Sequence, residues 1–128
     1  MRKIVRERVR RNFIEGIKVV KFQYNHQGQS SKVLWLSTDR KSILWAASRN
    51  ARKPTTVKIS AVRACTFSAS TRNLLSHGGE AKIPWYCLSV HDKNRTYDFG
   101  CEDPKVAREA VLAINHAMGV DLNEGALL

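Results

Sequence analysis

The order of the predicted elements constrains the fold of this chain more than any other feature. A run of short strands fills most of the sequence, and a single capped helix ends it. Period-2 alternation between turn residues predicts seven strands, which we place at 17–24, 32–37, 42–47, 55–60, 61–67, 85–90 and 95–100. Their short connections favour up-and-down antiparallel pairing. This order in 128 residues is typical of a mainly β domain, a seven-stranded barrel or sandwich that a C-terminal helix caps.

The C-terminal helix, predicted over Asp103–Met118, carries start and stop signals at both ends. Asp103 stands at the N-cap position, and Pro104 occupies the first helical position, where its missing N–H has no intrahelical partner to lose. Gly119 fits the position just after the last turn, where helices favour glycine. Small and apolar residues recur on one face of this helix, at Ala107, Ala110, Ile114 and Ala117. So many alanines predict a close approach to the surface that the helix covers.

The N-terminal segment 2–13 is predicted to form a short basic amphipathic helix. Val5, Val9 and Phe13 recur every four residues, with arginines between them. Such a helix either contacts a membrane surface or an acidic partner, or caps one end of the barrel, or links to further sequence. The candidate partner-binding residues of this segment are Arg2, Lys3, Arg6, Arg10 and Arg11.

We divide the chain into three parts on these patterns. They are a basic N-terminal helix (1–13), the β-rich domain with its helix (14–119) and a C-terminal tail (120–128). The turn-rich stretch 68–84 is predicted to be a long loop.

The charge of the chain is large and unevenly placed. Lys and Arg number 22 against 11 Asp and Glu, which gives a net charge of +11. The net charge is +5 over residues 1–12, +10 over 13–97 and −4 over 98–128. A field of this kind orients a protein on an anionic surface. Nucleic acid is the less favoured anion, because no zinc-finger, RRM or KH signature is present.

Several classes of protein are not indicated by this sequence. No apolar stretch reaches the length of a membrane span, and no secretory signal peptide is visible, so we expect a cytoplasmic protein. Cys65, Cys87 and Cys101 lack CxxC spacing and are predicted to be reduced, mostly buried thiols. The four histidines are scattered, with no metal-ligand spacing and no nucleotide-binding glycine motif. We therefore expect no metal, no cofactor and no catalytic activity.

Five stretches, taken in order and spacing, carry a resemblance to a known family. They lie at 16–21, at 33–39 with 43–45, at 56–63 with 71–74, at 86–90 and at 95–99, and the helix follows them. Together they resemble a pleckstrin homology (PH) domain, most nearly the type at the N-terminus of phosphoinositide-specific phospholipases C. The resemblance implies a PH-like barrel, and it also implies a targeting module that belongs to a larger protein or assembly.

The sequence departs from the family at two motifs. The family's helix carries a tryptophan near its middle, where this chain has Ala110. Family members that grip phosphoinositide headgroups use a lysine late in the first strand, which Lys21 matches, and a Lys/Arg-x-Arg pattern in the second. Lys32 matches the first basic residue of that pattern, but Leu34 stands in place of the arginine, and Gln23 occupies a position that is often basic.

The resemblance implies an anion-binding surface at the open end of the barrel, walled by loops near 24–31, 48–54 and 91–95. The candidate residues there are Lys21, Lys32, Arg49, Arg52, Lys53, Lys93 and Arg95. The leading hypothesis is a non-catalytic module that binds anionic, phosphoinositide-containing membrane through these loops, at the periphery of a membrane. The alternative is a protein-interaction scaffold, cytoskeletal or signalling, with a PH fold and no specific lipid ligand.

Overall fold

The structure, a computed structural model, describes residues 3–24, 28–67, 73 and 87–120, without the side chains of 3–7 and 10. The helices and strands are α1 (Lys3–Glu15), β1 (Ile17–Phe22), β2 (Gln29–Leu36), β3 (Ser42–Ala46), β4 (Thr55–Lys58), a 3-10 turn (Ile59–Ala61), β5 (Ala64–Phe67), β6 (Cys87–His91), β7 (Thr96–Cys101) and α2 (Pro104–Ala117). The predicted loop at 68–84, the first two residues of the strand at 85–90 and most of the tail at 120–128 lie outside the described residues.

All seven strands join one antiparallel sheet in the order β4-β3-β2-β1-β7-β6-β5. Up-and-down pairing is confirmed for β1 to β4 and for β5 to β7, while β1 pairs with β7. A flat sheet of seven strands would hold its two edges ~29 Å apart, at about 4.8 Å per neighbour. The link from Lys58 to Ala64 spans at most ~21 Å. The sheet therefore curls, and β4 and β5 approach each other without pairing.

The link between β4 and β5 corrects the predicted strands at 55–60 and 61–67. Ile59 begins a 3-10 turn instead of continuing the strand, and its N–H donates to the carbonyl of Lys41 at 2.8 Å. Arg63 N–H donates to the carbonyl of His91 at 2.7 Å. The backbone thus bonds first to the residue before β3 and then to the last residue of β6, so residues 59–63 form a corner. A second correction is that β2 begins at Gln29, three residues before the strand predicted at 32–37.

The core lies on one face of the curled sheet, as the alternation of side chains requires. Leu34 and Leu36 on β2, with Ile43 and Trp45 on β3, are at most 2% exposed and belong to this core. Trp35 lies between the two leucines in sequence and therefore on the opposite face of β2.

Helix α2 closes the barrel with the alanine-rich face that the sequence predicts. The Asp103 carboxylate accepts the backbone N–H of Lys105 at 2.7 Å, which confirms the N-cap. Ala107 and Ala110 are 0% and 2% exposed. The helix backbone approaches the sheet so closely at Ala110 that a side chain as large as tryptophan would displace its neighbours.

Helix α1 packs against the barrel and helix α2. Val9 and Phe13 are each 2% exposed and join the hydrophobic core, which confirms the predicted amphipathic pattern. The helix contacts α2 and β2, and Arg8 lies 3.7 Å from the carboxylate of Glu109 on α2. The apolar face of α1 is therefore occupied by the domain itself.

Candidate functional site

Two of the predicted lysines lie on the inner face of the sheet, at the end of the barrel away from the C-terminus of α2. Lys21 follows the buried Val19 by two residues, and Lys32 precedes the buried Leu34 by two, so both lysines share the face of the core. Val19 pairs directly with Lys32 across β1 and β2. The same alternation that points Val19 and Leu34 into the core therefore places the ammonium groups of Lys21 and Lys32 at the solvent-exposed end of the core.

These lysines line a cavity of about 400 Å³ that we call the open-end cavity. Its lining residues include Lys21, Gln23, Lys32, Trp45, Lys53 and Thr55. The indole of Trp45 forms part of its wall and packs on the core, with ring centroids 5.0 Å from Tyr97 and 5.2 Å from Phe99. Among the residues that the structure describes, the lining contributes three lysines and no carboxylate. The open-end cavity therefore carries positive charge that its own walls do not neutralise.

The environment of Lys21 disfavours its charge. Partial burial lowers the pKa of Lys21 below its ordinary value of 10.5, and the nearby positive charges of Arg95 and Lys32 lower it further. The carboxylate of Asp98 acts in the opposite direction. An anion in the cavity would stabilise the ammonium form, so Lys21 is suited to binding a negatively charged group.

Arg95 is held beside the open-end cavity by two aromatic rings. Its guanidinium carbon lies 4.3 Å from the ring centroid of Tyr24 and 4.2 Å from that of Tyr97, both within the range of cation–π attraction. The Asp92 carboxylate fixes the turn that carries it, accepting the backbone N–H groups of Asn94 at 2.8 Å and Arg95 at 2.9 Å. These hydrogen bonds, Asn94 first, lower the pKa of Asp92.

Asp98 supports this end of β7 from the outer face of the sheet. It is 0% exposed and accepts hydrogen bonds from Ser89 Oγ at 2.7 Å, Asn73 Nδ2 at 2.8 Å and Thr96 Oγ1 at 3.0 Å. Asn73 comes from the long connection between β5 and β6. The network fixes both strands next to Arg95.

The other predicted basic residues do not gather at this cavity. Arg49 turns toward α1: its guanidinium carbon lies 4.6 Å above the ring of Trp35, and its Nη2 donates to the carbonyl of Ile14 at 3.4 Å. Arg52 and Lys93 are exposed, and neither belongs to the described lining. Of the seven candidates, the structure brings Lys21, Lys32 and Lys53 together, with Arg95 adjacent.

Of the basic residues predicted on the N-terminal helix, Arg11 is exposed. Arg2 and the side chains of Lys3, Arg6 and Arg10 lie outside the described part of the chain.

Sequence reasoning missed the aromatic part of the site. Tyr97 follows Arg95 by two residues on β7, so period-2 alternation could have placed both side chains on one face. Tyr24 comes from the end of β1, and nothing in the sequence links it to Arg95. Gln23 lines the cavity at the position where the resembled family often has a basic residue, and it donates to Ser30 Oγ at 3.4 Å.

The cysteines are free and buried, as the sequence predicts. Burial raises the pKa of Cys87 to about 11 and that of Cys101 to about 12, and it raises the pKa of Cys65 as well. Within the described ranges, no three His, Cys, Asp or Glu side chains form a group that could hold a metal ion. No helix of the described chain has the length and apolar character needed to cross a membrane.

Comparison of the fold with solved structures identifies its type. Inner Membrane Complex Sub-compartment Protein 1 from Toxoplasma gondii matches with a TM-score of 0.68 at 13% identity, over 94% of this chain and 95% of that one. The PH domain of human TBC1 domain family member 2 matches with a TM-score of 0.60 at 7% identity, over 81% and 79% of the two chains. S. officinalis PLC21 matches with a TM-score of 0.62 at 14% identity, over 82% of this chain but only 15% of that one.

At the level of sequence, no family model and no curated protein matches this chain. The structural matches, the strand order and the C-terminal helix agree with the resemblance found in the sequence. The chain therefore has a divergent pleckstrin homology fold, on which the N-terminal helix α1 packs.

Proposed function

We propose that this protein is a non-catalytic targeting module that binds anionic, phosphoinositide-containing membrane through its open-end cavity. The observation that carries this proposal is the convergence of Lys21, Lys32 and Lys53 on one cavity, with no carboxylate in the described part of its lining. Arg95, held between its two tyrosines, adds a fourth cation at the same end of the barrel. In this proposal the protein is cytoplasmic and peripheral at its membrane.

The ligand proposed is a phosphate-bearing headgroup instead of a flat anionic surface alone. Lys21 and Lys32 project from the inner face of the sheet into a concave space, whereas general adhesion needs only exposed loop charges. Each cation near an anionic bilayer contributes about 1 kcal/mol. The name of the Toxoplasma gondii neighbour, which places that protein in an inner membrane complex, agrees with a role at membranes.

Vesicle co-sedimentation tests the proposal. The panel contains single phosphoinositides, with phosphatidylserine as a charge control, at low and physiological salt. Binding to one phosphoinositide that persists at physiological salt is the expected result, because a shaped site is screened less than an exposed surface. Binding to every anionic vesicle at low salt and to none at physiological salt would refute the headgroup site.

A variant pair locates the binding. Replacing Lys21 and Lys32 with alanine removes about 2 kcal/mol of attraction, which is about a thirtyfold loss of affinity. The matched control replaces Lys18 and Lys105 with alanine; both lysines are exposed, and neither lines the cavity. Equal losses in the two double variants would mean that net charge, and not the cavity, governs binding.

The second candidate function is a protein-interaction scaffold that uses the polar face of α1. The packing of Val9 and Phe13 into the core favours it, because it fixes this basic helix on the body of the domain. Deleting residues 1–12 is an unsuitable test, since it removes the buried Val9. Replacing Arg2, Lys3, Arg6, Arg10 and Arg11 with glutamine leaves the apolar face intact. Cross-linking mass spectrometry would then show whether contacts with an acidic partner are lost.

A further inference from the structure

A second basic pocket lies at the other end of the β3–β4 hairpin. Its volume is about 660 Å³, and its walls include Arg40, Lys41, Lys58, Ile59, Val62 and Met118. We call it the helix-end pocket, because Met118 is the C-cap of α2. Ser42, which also lines it, lies three residues along β3 from Trp45 in the open-end cavity. The two sites are therefore about 10 Å apart along the strand and open at opposite ends of the barrel.

Positive charge is in excess at the helix-end pocket. Its described lining includes Arg40, Lys41 and Lys58 and no carboxylate. None of the three forms a salt bridge with a residue in the described part of the chain. The carboxylate of Asp39, outside the lining, accepts hydrogen bonds from Ser37 Oγ at 2.6 Å and from Lys41 N–H at 3.0 Å, and its negative charge acts on Lys41. Three cations against one neighbouring carboxylate leave the pocket with a net positive charge.

Part of the pocket lining, which we call its floor, is apolar: Ile59, Val62, Ala117 and Met118. Val62 is 8% exposed, and Ile59 and Met118 pack against the hydrophobic core beside it. Methionine is unbranched and flexible, and it adapts its shape to an apolar side chain of a ligand. Cations around an apolar floor fit a peptide in which carboxylates flank an apolar side chain. A phosphate group alone would leave this floor unused.

Hydrogen bonds order the backbone that carries the cations of the pocket. Ser37 N–H donates to the carbonyl of Ser42 at 2.9 Å, Ser42 N–H donates to Ser37 Oγ at 3.0 Å, and Ile59 N–H donates to the carbonyl of Lys41 at 2.8 Å. Arg40 has a φ of 62°, a left-handed conformation that favours glycine and disfavours arginine. Strained positions of this kind cluster at functional sites. Because the backbone of this turn is already ordered, binding has to order only the side chains that it carries.

We propose that the helix-end pocket is a docking site for an acidic peptide segment of a partner protein. The apolar side chain of the peptide enters the floor, and its carboxylates pair with the three cations. A membrane surface is the less suitable occupant, because lipid headgroups present no apolar side chain to contact Ile59 and Met118. The site is separate from the open-end cavity, so each can be disrupted without the other.

The probe is a fluorescein-labelled peptide in which two glutamates flank a single leucine on each side. The control peptides replace the leucine with serine or every glutamate with glutamine. In ¹⁵N-labelled protein, the probe is expected to shift the amide signals of 40–42, 58–62 and 117–118, and both controls should bind at least about tenfold more weakly. Shifts confined to the open-end cavity, or no shift at millimolar peptide, would overturn the proposal. Displacement of the probe by phosphatidylserine vesicles would assign the pocket to a membrane and also overturn it.

Two variants make the test independent of folding. Arg40→Glu with Lys58→Glu is expected to weaken probe binding at least about tenfold, while Lys18→Glu with Lys105→Glu makes the same charge change away from the pocket and should leave it unaltered. Arg40→Gly removes one cation and relieves the left-handed strain. It is expected to keep or raise the melting temperature and still to weaken binding about threefold or more. Unchanged affinity in Arg40→Gly and in the double glutamate variant would refute the docking site.

Discussion

Replacing the buried Asp98 with alanine is expected to destabilise this fold more than any surface substitution. The carboxylate has no solvent exposure, so protein groups must satisfy it. It accepts from Ser89 Oγ at 2.7 Å and Asn73 Nδ2 at 2.8 Å, both on buried side chains, and from the half-buried Thr96 at 3.0 Å. These three donors come from β6, from the β5–β6 connection and from β7, so one carboxylate joins three parts of the chain.

The magnitude follows from the two buried donors. A hydrogen bond to a charged group contributes about 1.5–3 kcal/mol, so losing the bonds from Ser89 and Asn73 costs about 3–6 kcal/mol. Thr96 is partly exposed and can turn to water, so we assign no loss to it. In a domain of this size, 1 kcal/mol corresponds to about 4 °C in melting temperature. Asp98→Ala is therefore expected to lower the melting temperature by about 12–24 °C.

Thermal unfolding followed by circular dichroism measures this loss, and two further variants interpret it. In Asp98→Asn the amide oxygen can still accept from Asn73 while its NH₂ donates to Ser89 Oγ, so the loss should be about 1–2 kcal/mol. Glu102→Ala removes an exposed acid and should stay within about 0.5 kcal/mol of the parent protein. A loss in Asp98→Ala no larger than that in Glu102→Ala would refute the reasoning. Equal losses in the alanine and asparagine variants would mean that charge, and not the pattern of acceptors, stabilises the network.

Three further predictions concern backbone, cap and charge. Gly16→Ala should lower the free energy of unfolding in urea by about 2–4 kcal/mol, since Gly16 has a φ of +110° and a Cβ there would lie 2.9 Å from Val33 Cγ1. Gly119→Ala should lower it by only about 1–2 kcal/mol, because Gly119 has a φ of +83° but open space around it. A larger loss in Gly119→Ala than in Gly16→Ala would contradict this account. Asp103→Ala should cost about 1 kcal/mol by the same assay through loss of the N-cap of α2, whereas no change would mean that the cap is dispensable. Burial lowers the pKa of Lys21, so its ammonium is lost at a lower pH than that of an ordinary lysine. Anionic vesicle binding should therefore weaken as the pH rises toward 10.5. Lys21→Arg should reduce this decline, although Lys32 and Lys53 still line the cavity, and an equal decline in that variant would exclude Lys21 as a contributor.

The elements that could be predicted from the sequence are those that local signals determine. Asp103, Pro104 and Gly119 define the ends of α2 through capping alone, and the structure places the helix between them. The strands predicted at 55–60 and 61–67 extend into residues 59–63, where the structure has a 3-10 turn and a corner instead. The contacts that shape the corner are tertiary: Ile59 donates its backbone N–H to Lys41, next to β3, and Arg63 donates to His91 of β6. No window of neighbouring residues contains that information.

The residues of the candidate site also differ in whether the sequence alone could place them. Lys21 and Lys32 could be placed together because each lies two residues from a buried apolar residue on a paired strand. Arg49 could not, because its orientation depends on the docking of α1, whose Ile14 carbonyl accepts its hydrogen bond. Charge alone does not distinguish a cation that lines a cavity from one that stacks on a tryptophan. The difference lies in contacts between segments far apart in sequence.

The cations of the two proposed basic sites and the buried polar network lie in different parts of this barrel. The cations of the open-end cavity and of the helix-end pocket all lie on β1 to β4 and their turns. The buried Asp98 network and the covering helix α2 belong with β5 to β7. Because the lining lysines are half-buried or exposed, their substitution leaves the packed core intact. The cations of either proposed site can therefore be substituted while the core pattern of the pleckstrin homology fold stays the same.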